Sequence, residues 1–122
     1  TIDNIFNNSD IISIHLPLTD NTKNFLDQSS FVKMKNKPIV INSSRGGIIN
    51  EKDLINAYLK KLISGFAIDV YETEPVERSF LDKINPDMNC ILTPHIAGIT
   101  EESNQRVSNF IAEKIINFFN NL

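Results

Sequence analysis

Four short apolar runs punctuate the chain, at residues 10–16 (DIISIHL), 38–43 (PIVINS), 66–70 (FAIDV) and 90–93 (CILT). Each is too short for a helix, and isoleucine and valine dominate all but the last, so each reads as a strand. Pro17 closes the first, because proline offers no donor to a ladder. Between the runs the pattern is helical. Residues 50–62 (NEKDLINAYLKKL) place Leu54, Ala57, Tyr58 and Leu62 on one side of a helix. Asn50 is a natural N-cap there, Asp53 stands where a capping box needs its partner, and Gly65 lies just past the expected end. Residues 28–35 suit a short helix, residues 77–84 a helical turn, and the opening residues the end of a helix running into a turn. A long helix over 100–122 starts at Thr100 and carries an apolar stripe of Val107, Ile111, Ile115, Phe118 and Leu122. The segment 71–89, with Pro75 and Pro86, is the least regular.

Strands that alternate with helices, and that are apolar on both faces, predict an α/β protein whose parallel sheet is covered by helices. Ligands of such open sheets bind beyond the carboxyl ends of the strands. The first strand delivers His15 and Pro17 there, the second Ser43, Ser44 and Arg45, the third Asp69, Glu72 and Glu74, and the fourth Thr93, His95 and Gly98. Neighbouring strands lie about 4.8 Å apart, so strands adjacent in chain order would line a crevice about 10–15 Å long with these groups.

Composition narrows the chemistry. A chain of 122 residues suits one domain, and a net charge of −3 without a long basic run argues against nucleic acid or an anionic membrane as partner. No apolar stretch approaches the roughly 20 residues of a membrane span. The single cysteine, Cys90, excludes an internal disulfide, suits a reducing cytoplasm, and reads as buried and inert. Two histidines and one cysteine far apart lack the spacing of a metal site. Ser43 and Ser44 lack the nucleophile-elbow pattern of a serine hydrolase. Acidic residues in the first turns of both strong helices, Glu51 and Asp53, Glu101 and Glu102, disfavour a phosphate cradle there. What remains is a cation and an acid–base pair. Arg45 offers a bidentate fork for a carboxylate. A carboxylate such as Glu74 bonded to His95 would fix its tautomer and favour the imidazolium. Together they suit reversible reduction of a 2-keto acid, the histidine protonating the carbonyl oxygen.

The stretches HLPLTDNT, VINSSRGGIINEKDL, FAIDVYETEP and LTPHIAGIT resemble, in order, the motifs of the D-isomer-specific 2-hydroxyacid dehydrogenases, with phosphoglycerate dehydrogenase-like members nearest in tone. The resemblance spans nearly the whole chain. It implies NAD as cofactor, a Rossmann-type cofactor domain, a small 2-hydroxy or 2-keto acid as substrate and a homodimer. It implies that Arg45 binds the substrate carboxylate, that His95 is the proton donor and that Glu74 pairs with it. Asp69 matches the contact to the nicotinamide carboxamide, and His15, Pro17, Ser43, Ser44 and the turn through Ala97 and Gly98 match cofactor-lining positions. Glu72 is not the matching glutamate and reads as solvated. Glutamate at position 74 departs from the formate dehydrogenase branch, which carries glutamine.

The family's Gly-x-Gly-x-x-Gly fingerprint is not formed by Gly46, Gly47, Gly65 and Gly98. The expected architecture is therefore the second half of a doubly wound sheet, with residues 1–122 as the C-terminal portion of a cofactor domain. The first strand should then present an unpaired edge. Such a chain alone is expected to be marginal, dimeric or domain-swapped, to bind NAD weakly and to be inactive by itself. The alternative function is a non-catalytic dimerisation or regulatory module built on the same fold.

Overall fold

In the computed structural model, which describes residues 1–121, strands and helices alternate from end to end. The elements are α1 (Ile2–Asn8), β1 (Ile11–Ile14), α2 (Gln28–Val32), β2 (Ile39–Asn42), α3 (Glu51–Leu59), β3 (Gly65–Ile68), α4 (Arg78–Leu81), β4 (Cys90–Leu92) and α5 (Glu101–Asn120). All four strands pair in parallel, in the spatial order β1-β2-β3-β4. The α/β expectation holds, and β1 is an end strand as anticipated.

The register aligns Ile12, Val40, Phe66 and Cys90 across the sheet, and Ile14, Asn42, Ile68 and Leu92 one pleat further on. Their face carries the core. Phe6 of α1, Phe31 of α2, Leu54, Ile55 and Ala57 of α3, and Phe80 of α4 pack with the strand residues in one buried cluster. Each fully buried side chain of this size contributes about 1.5–3 kcal/mol relative to exposure.

Helices cover one face of the sheet, which carries the core. The three crossovers step in the same direction along the sheet, and right-handed crossovers of one direction put their helices on one side. The opposite face stays open, so Ile11 is 59% and Ile91 66% exposed. No residue of α5 among those described is buried, and its apolar stripe at Val107, Ile111, Ile115 and Phe118 faces outward. Leu122 of that stripe lies outside the described residues.

Several boundaries differ from the sequence reading for local reasons. Helix α3 stops at Leu59. The chain reverses through Lys61, in the left-handed region at φ 58°. Lys61 N–H bonds the Tyr58 carbonyl and Leu62 N–H the Ala57 carbonyl, both at 2.9 Å, which is a Schellman closure with lysine where glycine is usual. Gly65 therefore opens β3 instead of closing the helix. An added Cβ there would meet Asn89, whose side chain bonds the Ser64 carbonyl. At the start of α3, Asn50 Oδ1 accepts from Asp53 N–H at 3.0 Å. The capping box is only half made, because the Asp53 carboxylate instead accepts from Gln28 N–H of α2 at 3.0 Å. Thr100 caps α5 as expected, accepting from Ser103 N–H at 3.0 Å.

Candidate functional site

Two loops at the carboxyl edge of the sheet, those after β2 and β4, are each shaped by a polar side chain just inside or beyond a strand. On β2 that side chain is Asn42, which shares the buried parity of Val40 and is 2% exposed. Its Oδ1 accepts from Ser44 N–H at 3.1 Å and Ser44 Oγ at 2.9 Å, and its Nδ2 donates to the Arg45 carbonyl at 3.0 Å. All three bonds bind the 43–45 turn to the strand that delivers it. Arg45 is exposed and makes no ion pair among the described residues; its Nη1 donates to the Ser44 carbonyl at 2.6 Å.

Beyond β3, Asp69 is buried at 5% exposure. Its Oδ1 accepts from Thr93 Oγ1 at 2.5 Å and Ile96 N–H at 2.9 Å, and its Oδ2 accepts from Ala97 N–H at 3.0 Å. Burial by itself would raise this carboxyl. The donors at Thr93, Ala97 and Ile96 outweigh it and hold Asp69 below the ordinary aspartate range. The same bonds fold the turn that carries His95. That residue lies in the left-handed region at φ 57°, a conformation costing about 1–2 kcal/mol in an L-residue, and Asp69 grips the backbone immediately after it.

His95 Nδ1 lies 2.8 Å from Glu74 Oε2. A carboxylate only accepts, so Nδ1 carries the hydrogen and Nε2 is left for a further partner. Glu74 Oε1 meanwhile accepts from Tyr71 N–H at 3.1 Å. The His95 bond chiefly, and the Tyr71 N–H after it, lower the Glu74 carboxyl below its ordinary value. Tyr71 anchors the turn from inside. It is 7% exposed, its hydroxyl donates to the Thr93 carbonyl at 3.0 Å, and its ring stands edge-on to Phe80 with centroids 5.9 Å apart.

The expected site residues fall into two clefts. His15, Pro17, Ser44 and Arg45 line an open cleft of about 430 Å³ with Leu16 and Leu18. His15 Nε2 lies 2.9 Å from Ser13 Oγ. Glu74 and His95 line a second cleft of about 340 Å³ with Tyr71, Pro75, Val76 and Pro94. Ser43 is exposed and lines neither, because it alternates away from Asn42. Ala97 contributes its backbone to Asp69, and Gly98 is exposed with open space where a Cβ would stand.

Two readings need correction. Glu72 is exposed but not merely solvated: its Oε1 accepts from Glu51 N–H at 2.9 Å, while Glu72 N–H donates to Glu51 Oε1 at 2.6 Å. Glu72, together with Asn50, therefore meets the start of α3, an end that Glu51 and Asp53 were expected to occupy. Residues the sequence reading gave no positioning part are Asn42 and Tyr71. Asn42 carried a usable signal, as a polar side chain at the inward position of an apolar strand. Cys90 is half-buried and burial pushes its thiol up, in line with an unreactive role. No group of ligands able to hold a metal ion occurs among the described residues, and no helix there is long and apolar enough to cross a membrane.

Known proteins resemble this chain over most of its length. The chain is 36% identical to the hydroxypyruvate reductase of Thermotoga maritima over 114 residues, covering 93% of this chain and 37% of that protein. It is 40% identical to the D-3-phosphoglycerate dehydrogenase of Synechocystis over 114 residues, covering 93% of this chain and 20% of that protein. Among solved structures, a D-lactate dehydrogenase from Aquifex aeolicus complexed with NAD and lactic acid superposes with a TM-score of 0.80 at 28% identity. It covers 99% of this chain and 40% of that one. The chain thus spans between a fifth and two fifths of the length of these relatives. Residues 1–97 match the NAD binding domain of the D-isomer specific 2-hydroxyacid dehydrogenases, and the chain belongs to that family.

Proposed function

We propose that this chain is the C-terminal portion of the cofactor domain of an NAD-dependent D-2-hydroxyacid dehydrogenase, and that it carries the acid–base half of the active site. The observation behind this reading is the Glu74–His95 bond, 2.8 Å long, with the second Glu74 oxygen held by Tyr71 N–H. Glu74 fixes the imidazole with Nε2 outward, where it can give a proton to a keto oxygen or take one from a hydroxyl. Arg45, free of any carboxylate among the described residues, is the group for the substrate's own carboxylate. Its cleft mixes the polar His15 and Ser44 with the apolar Leu16, Pro17 and Leu18, a lining that suits the nicotinamide end of NAD. When bound there, the nicotinamide supplies or accepts the hydride. Asp69 keeps one lone-pair position beyond its three donors, which suits a carboxamide N–H.

The test is oxidation of NADH by the full-length protein that contains this chain, with hydroxypyruvate, pyruvate and phosphohydroxypyruvate. Replacing His95 by asparagine should cut kcat about 10²–10⁴-fold with little change in NADH affinity. Arg45→Lys should raise KM, since lysine cannot present the bidentate fork. Unchanged turnover in both variants would sink these roles. A second reading, a non-catalytic dimerisation module, draws its support from the open sheet face and the outward stripe of α5. Homodimerisation is part of either reading.

A further inference from the structure

Glu74 reaches His95 from an irregular loop between β3 and α4, and its side chain is 39% exposed. A long, half-exposed side chain on such a loop needs its backbone held if the carboxylate is to stay on the imidazole. Two residues earlier, Glu72 and Glu51 exchange backbone bonds reciprocally. Glu51 N–H donates to Glu72 Oε1 at 2.9 Å, and Glu72 N–H to Glu51 Oε1 at 2.6 Å. Glu51 opens α3, so its N–H has no partner within the helix, and a carboxylate is favoured at that end. The arrangement sets two carboxylates near each other. Burial chiefly, and Glu72 among other neighbours, raises the Glu51 carboxyl. Mutual repulsion would drive the pair apart, and the two backbone donors hold it together.

We infer that Glu72 and Glu51 form a clasp that positions Glu74 against His95 by tying the 71–74 turn to the first turn of α3. Glu72 is thus a positioning residue for the acid–base pair, and this rests on the reading of Glu74 and His95 as that pair. The clasp joins a rigid helix end to the loop at a point two residues from Glu74. Tyr71, just before Glu72, is held in turn through its bond to the Thr93 carbonyl. The Glu74 carboxylate therefore hangs from a turn fixed at two successive residues just before it.

The experiment follows the Glu74 carboxyl by ¹³C NMR titration in the 122-residue chain. With the clasp intact, this carboxyl titrates below an ordinary glutamate. Glu72→Ala should move it up toward the ordinary value, and Glu72→Gln, which keeps the oxygen acceptor, should leave it low. Both variants remove the same charge, and losing a negative neighbour would by itself lower Glu74, so a rise confined to alanine reports the lost His95 contact. Should Glu72→Ala fail to fold, Glu51→Ala carries the test, since alanine suits the start of a helix and the change removes the acceptor for Glu72 N–H. Thermal destabilisation with an unmoved Glu74 titration would reduce Glu72 to a helix cap and overturn the inference. His95→Ala separates the two readings: if it leaves Glu74 unmoved, the pairing itself fails, whereas a rise there without one in the clasp variants fails the clasp alone.

Discussion

Gly46 lies flat against the carbonyl of Tyr71, so that a methyl group on Gly46 would overlap the carbonyl oxygen. The loop carrying Arg45 and the turn carrying Glu74 are in direct backbone contact at this point. Gly46→Ala must push one of them away, and overpacking of this kind costs about 1–3 kcal/mol. Urea unfolding should show that loss, and the amide signals of Tyr71 and Glu72 should shift. Gly47 differs: it needs glycine for its φ of 77°, with only Leu18 near a new Cβ. Gly47→Ala should cost about 1–2 kcal/mol without moving those amides.

Asp69 makes stability depend on acid pH. Its carboxyl is held below the ordinary value of 3.8, so the stability it contributes is fully present above about pH 4. It is lost as the pH falls through the lowered value. Glu74, also lowered, adds in the same direction. Asp69→Asn turns an amide N–H toward at least one of the three donors and leaves a weaker acceptor for the others. It should cost about 1–3 kcal/mol at pH 7 and flatten the decline in stability below pH 4. Denaturant midpoints at pH 7, 5, 4 and 3 check both parts.

Asn42 supports the arginine loop from within the sheet. Asn42→Ala leaves the Ser44 N–H and the Arg45 carbonyl without the partners they have now, at about 1–3 kcal/mol. Trypsin cleavage after Arg45 requires that loop to open locally. The variant should be cut there faster than the parent chain, well before global unfolding, and an unchanged rate would show that the loop holds its shape without Asn42.

The open sheet face and the stripe of α5 leave Ile11, Ile91, Ile111 and Phe118 exposed, and apolar patches of this kind favour association. Sedimentation velocity of the 122-residue chain should show concentration-dependent self-association. Ile91→Lys, on the open face, should weaken it without unfolding the protein.

None of the four glycines builds a Gly-x-Gly-x-x-Gly turn. Calorimetric titration of the chain with NAD⁺ should therefore show weak binding. A tight isotherm would require a pyrophosphate site made some other way.

Element type was legible in the sequence because strands of three or four residues bounded by turns carry a strong local signal, as did Asn50 and Thr100 as caps. The Glu74–His95 pair was legible from motif order. What the sequence hid was non-local. Lys61 closing α3 in the left-handed region has no local mark, since lysine is a poor candidate for that conformation. The contact of Gly46 with Tyr71 depends on two loops 25 positions apart meeting. Glu72 looked idle because its partner, Glu51, stands on another element. The one-sided cover follows from the direction of the crossovers, which apolarity of the strands alone does not encode.

Strand order that equals chain order has a consequence for assembly. Each strand docks beside the one made just before it, so the sheet can grow in one direction as the chain emerges from the ribosome. Asn42 shapes its loop with neighbours at most three residues away. Asp69 meets its donors, and Glu74 its histidine, only across the final joint, through Thr93, His95, Ile96 and Ala97. Formation of the histidine–glutamate bond thus marks the seating of the last strand, and this pair is among the latest of these contacts to form.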